Sequence, residues 1–240
     1  MEQKMRGIVI RTVKYGDNKI IVDLLTREHG RTSVVSRCAG RGGGRRLQRQ
    51  IFQPLSILEV TVSGQHASRL PEVKEALPAE VYGSLPYDGV KMSVAFFIAE
   101  FLTYATRSQQ TDAQLYDFVE QSLLWFDATD KGAANFHLMF MMQLSMFLGF
   151  HPDTDDYADG CLFDLREGRF CMQAPVHPDF LHPDEASRVS LLMRMRPHNL
   201  HLFRMSRHER NRAADIILRF YRIHVPQFGE MRSLAVLREL

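Results

Sequence analysis

The chain has 240 residues, of which 45% are hydrophobic and 24% are charged, and its formal net charge is +2. This is the composition of an ordinary folded protein with one large or two modest domains. No run of 18 apolar residues occurs and the N-terminal segment is charged, which excludes a transmembrane helix and disfavours a secretory signal. Three scattered cysteines exclude a disulfide framework, so we expect a reducing, cytoplasmic location.

Charge is distributed unevenly along the chain. Residues 1–80 carry a net charge of +6, residues 81–186 carry −11, and residues 187–240 carry +7. Basic ends around an acidic middle indicate separate surfaces for separate partners, although a solvated surface with a biased composition explains the same numbers.

Strand-forming patterns fill the first 80 residues, where short apolar runs alternate with turn residues such as Tyr15-Gly16-Asp17. The predicted strands are Arg6–Val13, Lys19–Thr26, Arg31–Ser36, Leu55–Val62 and His66–Val73. Five short strands in one segment are typical of a small β-barrel. We therefore predict an OB-fold for residues 1–80, with an SH3-like barrel as the alternative.

An arginine-rich loop covers residues 37–50, between the third and fourth predicted strands, and no acidic residue occurs from His29 to Leu58. Four glycines in this loop disfavour a helix before about Arg45. Guanidinium groups on such a loop can hold phosphates through paired hydrogen bonds, although a solvated surface loop remains the alternative. The predicted phosphate contacts are Arg37, Arg41, Arg45, Arg46 and Arg49.

Beyond residue 89 the apolar pattern takes the 3.6-residue period of helices. The predicted helices are Val90–Thr106, Thr111 to about Phe126, Ala133–Leu148, Asp184–Met195, a long helix opened by a capping box at Ser206–Glu209, and Met231–Leu240. The third helix is rich in methionine and apolar on every side, which favours the core of a bundle over an adaptable peptide groove. We predict an α+β protein in which residues 81–240 form a helical domain, with a small inserted module at about residues 151–182. This module is predicted to contain a hairpin of Cys161–Asp164 and Arg169–Met172.

Arginines also occur throughout the last long predicted helix. They are Arg207, Arg210, Arg212, Arg219 and Arg222. Two interpretations remain open for them, a solvated helix face or a second surface for anions. Together with the methionine-rich helix, they would suit an acidic peptide that ends in hydrophobic residues.

Sites for metals and for catalysis are not indicated by the sequence. The acidic run that includes Asp155 fails the calcium-loop pattern, because Arg166 stands where that loop needs glutamate. Cys161 and Cys171 lack the paired spacing of structural zinc sites, so we expect no metal or cofactor there and interpret both as small buried residues. Arg45 stands where either nucleotide-binding glycine motif needs glycine, and no catalytic motif occurs, so we predict that the protein is not an enzyme.

Three sequence elements, taken in order, resemble the RecO family of bacterial DNA repair proteins. They are Gly7–Gly30 with the arginine-rich loop and Gln53-Pro54-Leu55, then Leu148–Pro152, and finally Phe220–His224 with Arg232-Ser233-Leu234. The resemblance covers nearly the whole chain. Many relatives carry a four-cysteine zinc module after the second element, whereas this chain has only Cys161 and Cys171 in that region, so zinc is not carried over.

The resemblance implies a recombination mediator, with an N-terminal OB-fold followed by a helical domain. Such proteins bind single- and double-stranded DNA, anneal complementary strands and act with RecR. They also contact the acidic tail of single-stranded DNA-binding protein and help to load RecA, which implies a nucleoid-associated location. The alternative is an adaptor whose basic ends bind acidic proteins without nucleic acid.

The phosphate-binding prediction and the resemblance both indicate that the arginine-rich loop contacts DNA. Arg11, Lys14 and Arg31 are weaker candidates for contact with the DNA backbone. Tyr15 and Phe52 are the obvious aromatic residues for base stacking in the predicted barrel, and Phe52 also suits the core. Because such aromatics are few, we expect binding to be mainly electrostatic.

Overall fold

The computed structural model describes residues 2–37, 50–63, 70–107 and 111–240. The chain divides into two compact units, Met1–Ala128 and Thr129–Leu240. The first unit contains two helices after its strands, and the domain division at about residue 80 stays a prediction. Within the described ranges, no helix is long and apolar enough to cross a membrane.

Five antiparallel strands form the barrel of the first unit. They are β1 (Glu2–Tyr15), β2 (Lys19–Thr26), β3 (Gly30–Arg37), β4 (Ile57–Ser63) and β5 (Val73–Pro78). Their hydrogen-bonded order is β3-β2-β1-β4-β5, and a parallel bridge between Val35 and Glu72 joins the two ends of the sheet. This order and closure are those of an OB-fold, which confirms the predicted fold and excludes the SH3-like alternative.

A bulge in β1 decides which of its residues face the barrel core. Val9 pairs with Leu24 and Arg11 pairs with Asp23, so Ile10 is an extra residue in the strand. Before the bulge, odd-numbered residues such as Val9 face inward, whereas beyond it the odd-numbered residues face outward. The core contains Met5, Val9, Ile20, Val22, Leu24, Val34, Phe52, Leu58, Val60, Val62 and Ala76.

The fifth strand lies further along the chain than its predicted position. The pattern predicts His66–Val73, whereas β5 begins at Val73, where the predicted strand ends. Residues 64–69 lie outside the described ranges. Only Ala76 of β5 is buried, so this strand lacks the apolar alternation by which strands are recognised in a sequence.

Two helices complete the first unit, α1 (Gly89–Ala105) and α2 (Ala113–Ala128). The carboxylate of Asp112 accepts hydrogen bonds from the backbone N–H groups of Gln114 and Leu115, at 2.8 and 3.1 Å, which confirms the predicted N-terminal cap. At the other end of α2, Asp127 accepts from the backbone N–H groups of residues 83, 84 and 85 at 2.7–2.9 Å. These bonds fix the segment that leads into α1.

A charged network ties β1 to α2. Arg6 donates to Glu80 at 2.7 Å and to Glu120 at 2.8 Å. Glu120 is only 9% exposed and also accepts a hydrogen bond from Tyr116 at 3.1 Å. The two carboxylates raise the pKa of Arg6 above its ordinary value, so Glu120 has a permanently charged partner.

The second unit combines helices with a small sheet. Its strands β6 (Leu162–Asp164), β7 (Arg169–Cys171) and β8 (Phe180–Leu181) have the order β7-β6-β8. Its α-helices are α3 (Phe136–Phe147), α4 (Pro183–Met193), α5 (Arg207–His224) and α6 (Leu234–Leu237), with 3₁₀ turns at Ala133–Asn135 and Pro197–Leu202. The hairpin predicted within residues 151–182 is present as β6 and β7.

The cysteines of this small sheet are free thiols. Cys161 is buried and Cys171 is half-buried. Burial raises the pKa of the Cys171 thiol, which disfavours its reactive thiolate form. Across the described residues, no group of three or more His, Cys, Asp or Glu side chains is placed to hold a metal ion.

The methionine-rich helix α3 belongs to the core of its unit. Met139, Met141 and Met142 are each at most 4% exposed, whereas Met146 is 48% exposed. The core interpretation is therefore confirmed, and the alternative of a methionine-lined peptide groove is wrong for the buried methionines. The capping box that opens α5 is also confirmed, because Ser206 and Glu209 each accept a hydrogen bond from the other's backbone N–H.

Candidate nucleic-acid interface

A groove lies on the outer face of β1, β2 and β3, near the tip of the β1–β2 hairpin. Tyr15 lies opposite Lys19, which in turn lies opposite Arg37. The volume of this groove, here called the strand groove, is about 530 Å³. It is lined by Tyr15, Lys19, Ile21, Val35, Arg37, Leu70 and Glu72. Cations beside an aromatic ring and an apolar floor suit the phosphates and bases of a single strand.

Helix α1 covers the neighbouring part of the same outer face. The Thr103 hydroxyl donates to the carbonyl of Ile10 at 3.3 Å, and Arg31 donates to the carbonyl of Thr103 at 2.7 Å. Arg31 also pairs with Asp23 at 3.2 Å, and its side chain is only 19% exposed. Through these contacts the Arg31 guanidinium holds the helix against the sheet. The role of Arg31 as a phosphate contact stays a prediction.

Arg37 is the last residue of β3 and lies at the rim of the strand groove. Its side chain is 63% exposed, and its Nε and Nη2 groups donate to the two carboxylate oxygens of Glu72. The hydrogen bonds from Arg37 lower the pKa of Glu72 below its usual value, so the carboxylate is ionised at neutral pH. The rest of the arginine-rich loop, residues 38–50, follows Arg37 directly in the chain.

Two of the other predicted contacts, Lys14 and Arg11, are described by the structure and do not line the strand groove. Lys14 is exposed but pairs with core residue Ile20, so it lies on the opposite face of the hairpin from Tyr15. Arg11 is exposed on the same face as Tyr15 and lies opposite Asp23. The remaining predicted contacts, Arg41, Arg45, Arg46 and Arg49, lie outside the described residues.

The strand groove also contains residues that the sequence did not single out as site residues. Lys19 and Ile21 face outward because they alternate with the buried Ile20 and Val22, a signal that is weak in a strand with apolar residues on both faces. The other residues in this group are Val35, Leu70 and Glu72. Of the two aromatic candidates, Tyr15 is 55% exposed at the groove, while Phe52 is 2% exposed in the core.

The arginines of α5 are largely engaged within the second unit. Arg210 donates to the backbone carbonyls of Met205 and Leu240, both at 2.8 Å. The ion pairs of this region are Arg207–Glu239, Arg212–Glu185, Arg219–Asp179 and Arg238–Asp215. Because the charges of Arg207, Arg212 and Arg219 are matched by carboxylates of the same unit, the helix provides less support for a second anion surface than the sequence suggests.

Comparison with known proteins supports the resemblance found in the sequence, and it does so over the full length of the chain. Two family models match, that for the N-terminal part of recombination protein O at residues 1–82 and that for its C-terminal part at residues 86–234. The DNA repair protein RecO of Phocaeicola vulgatus is 44% identical to this chain over 240 residues, a span that covers 100% of this chain and 99% of that protein. The RecO proteins of Bacteroides fragilis and Porphyromonas gingivalis are 39% and 34% identical, covering 100% and 98% of this chain and 99% and 97% of their own lengths. From the barrel to the last helix, this chain belongs to the RecO family of DNA repair proteins.

Proposed function

We propose that this chain binds single- and double-stranded DNA without sequence preference, anneals complementary strands and, with RecR, helps to load RecA onto DNA coated by single-stranded DNA-binding protein. The observation that carries the proposal is the strand groove on β2 and β3, the face on which OB-folds bind oligonucleotides. Membership of the RecO family supports the broader role in DNA repair and recombination.

Contact with phosphates is proposed as the main source of affinity. Lys19 and Arg37 supply two cations at the strand groove, and the loop after Arg37 adds four arginines. Such groups neutralise phosphates without reading bases, which explains binding without sequence preference. They also reduce the repulsion between two strands, as annealing requires. The proposed contacts are Arg37, Arg41, Arg45, Arg46 and Arg49, with Arg11, Lys14 and Arg31 as weaker candidates.

A salt titration of single-stranded DNA binding tests this proposal. If about four to five phosphates are neutralised, the slope of log affinity against log salt should be roughly −3 to −3.5. Replacing Arg45, Arg46 and Arg49 together with alanine should weaken binding to every sequence, flatten the slope by about 2, and slow strand annealing.

A matched control removes the same charge from the second unit. Arg169, Arg194 and Arg204 are all exposed there, and their joint replacement by alanine should leave the slope unchanged. An equal loss in the loop variant and the control would show that overall charge, and not this interface, determines the affinity. If the wild-type protein does not bind oligonucleotides in dilute buffer, the proposal fails and the adaptor alternative takes its place.

A further inference from the structure

Glu72 is an acidic residue in the strand groove, which is otherwise suited to phosphates. Its two carboxylate oxygens accept hydrogen bonds from Nε and Nη2 of Arg37. Arginine holds a phosphate through the same pair of parallel hydrogen bonds. Glu72 therefore occupies the Nε–Nη2 edge, one of the two edges of Arg37 at which a phosphate could make a two-point contact.

The backbone of Glu72 is fixed by the closure of the barrel. Its N–H group donates to Oγ of Ser63 at 3.0 Å, and its carbonyl accepts from the N–H group of Ser63 at 2.8 Å. Glu72 also forms the parallel bridge with Val35. The side chain of Glu72 is 30% exposed, less than half the value for Arg37. The barrel thus holds this carboxylate beside Arg37.

Within the described part of the chain, the charges that act most strongly on Glu72 are positive. Its pKa is lowered first by the hydrogen bonds from Arg37 and then by the charges of Arg37, Lys19 and Lys74. Among the described residues that line the strand groove, Lys19 and Arg37 are the cations and Glu72 is the anion. Neutralising Glu72 would raise the net charge of this lining from +1 to +2.

We propose that Glu72 is an internal competitor for the DNA phosphate at Arg37, an inference that rests on the proposed DNA binding. A phosphate must displace the carboxylate before it gains the two hydrogen bonds of the Nε–Nη2 edge of Arg37. The competitor lowers the affinity of the barrel for any strand and returns to Arg37 when the strand leaves. Weaker, faster-exchanging contact of this kind suits annealing, in which strands must be released and paired again.

The test compares Glu72→Gln with Glu75→Gln in the full chain, with an oligo-thymidine strand as the probe. Both variants remove one negative charge, but Glu75 lies opposite Thr61 and lines a different groove. Glu72→Gln should bind about threefold to tenfold more tightly, with a salt slope steeper by about 0.7, whereas Glu75→Gln should behave like the wild type. In an Arg37→Ala background, Glu72→Gln should give no gain.

Two outcomes would overturn this inference while leaving the proposed function intact. Equal gains for Glu72→Gln and Glu75→Gln would mean that overall charge is responsible. A gain that persists in the Arg37→Ala background would mean that Glu72 does not act through Arg37. Failure of the wild-type protein and of every variant to bind the strand at low salt would instead refute the proposed function, and the inference with it.

Discussion

Replacing Tyr15 with alanine can separate the contribution of base stacking to DNA affinity from that of phosphate contact. Its side chain is 55% exposed at the strand groove and lies outside the barrel core, so Tyr15→Ala should leave the fold intact. Stacking of one base on an aromatic ring contributes about 1–3 kcal/mol. Because the groove already covers nearly half of Tyr15, we expect the lower end of this range, about 1 kcal/mol, or a fivefold loss of affinity for single strands.

Fluorescence anisotropy with a single strand and with a duplex of equal length measures this effect. The duplex should bind Tyr15→Ala as it binds the wild type, because its bases are already stacked on each other. Tyr15→Phe should retain the affinity, and Tyr87→Ala, at a residue that is 85% exposed outside the strand groove, should change nothing. An equal loss for single strand and duplex would refute the stacking argument, as would a change in the salt slope.

Three further predictions concern the free energy of unfolding in urea. Asp127→Ala should lower it by about 2–3 kcal/mol, because three backbone N–H groups lose their acceptor. Burial raises the pKa of Asp127, but the hydrogen bonds from these N–H groups outweigh burial. The net effect is a pKa below the ordinary value of 3.8. The advantage of wild type over Asp127→Ala should thus be complete above pH 3.8 and disappear as the pH falls through the lower, folded value. Arg6→Leu should cost about 3 kcal/mol, because it leaves the carboxylate of Glu120, which is only 9% exposed, without a cation. In a Glu120→Gln background the same substitution should cost less, and an equal cost in both backgrounds would contradict this reasoning. Ser206→Ala should cost about 1 kcal/mol through loss of the capping box, and an unchanged stability would show that the cap is redundant.

Helix ends could be predicted from the sequence because their signals are local. Asp112 and Ser206 each cap a helix through N–H groups two or three residues further along. The first four strands of the barrel could also be predicted, since turn residues separate runs of strand-forming residues. In both cases the residues that carry the signal are neighbours in the chain.

The composition of the strand groove depends on contacts that no local pattern contains. The bulge at Ile10 reverses the face on which Tyr15 lies, and strand pairing brings Asp23 beside Arg31. From the sequence alone, Arg31 is therefore predicted to be a cation without a partner. Glu72 reaches Arg37 only because the barrel closes between them, across 35 positions of chain.

The closing contact of the barrel has a dynamic consequence. The N–H group of Val35 donates to the carbonyl of Pro71 at 2.9 Å, and Val35 also forms part of the groove floor. A ligand lying there would contact β3 on one side of the junction and residues 70–72 on the other. Occupancy would therefore slow the local separation of these two edges, and hydrogen–deuterium exchange at the Val35 amide would report whether the groove is filled.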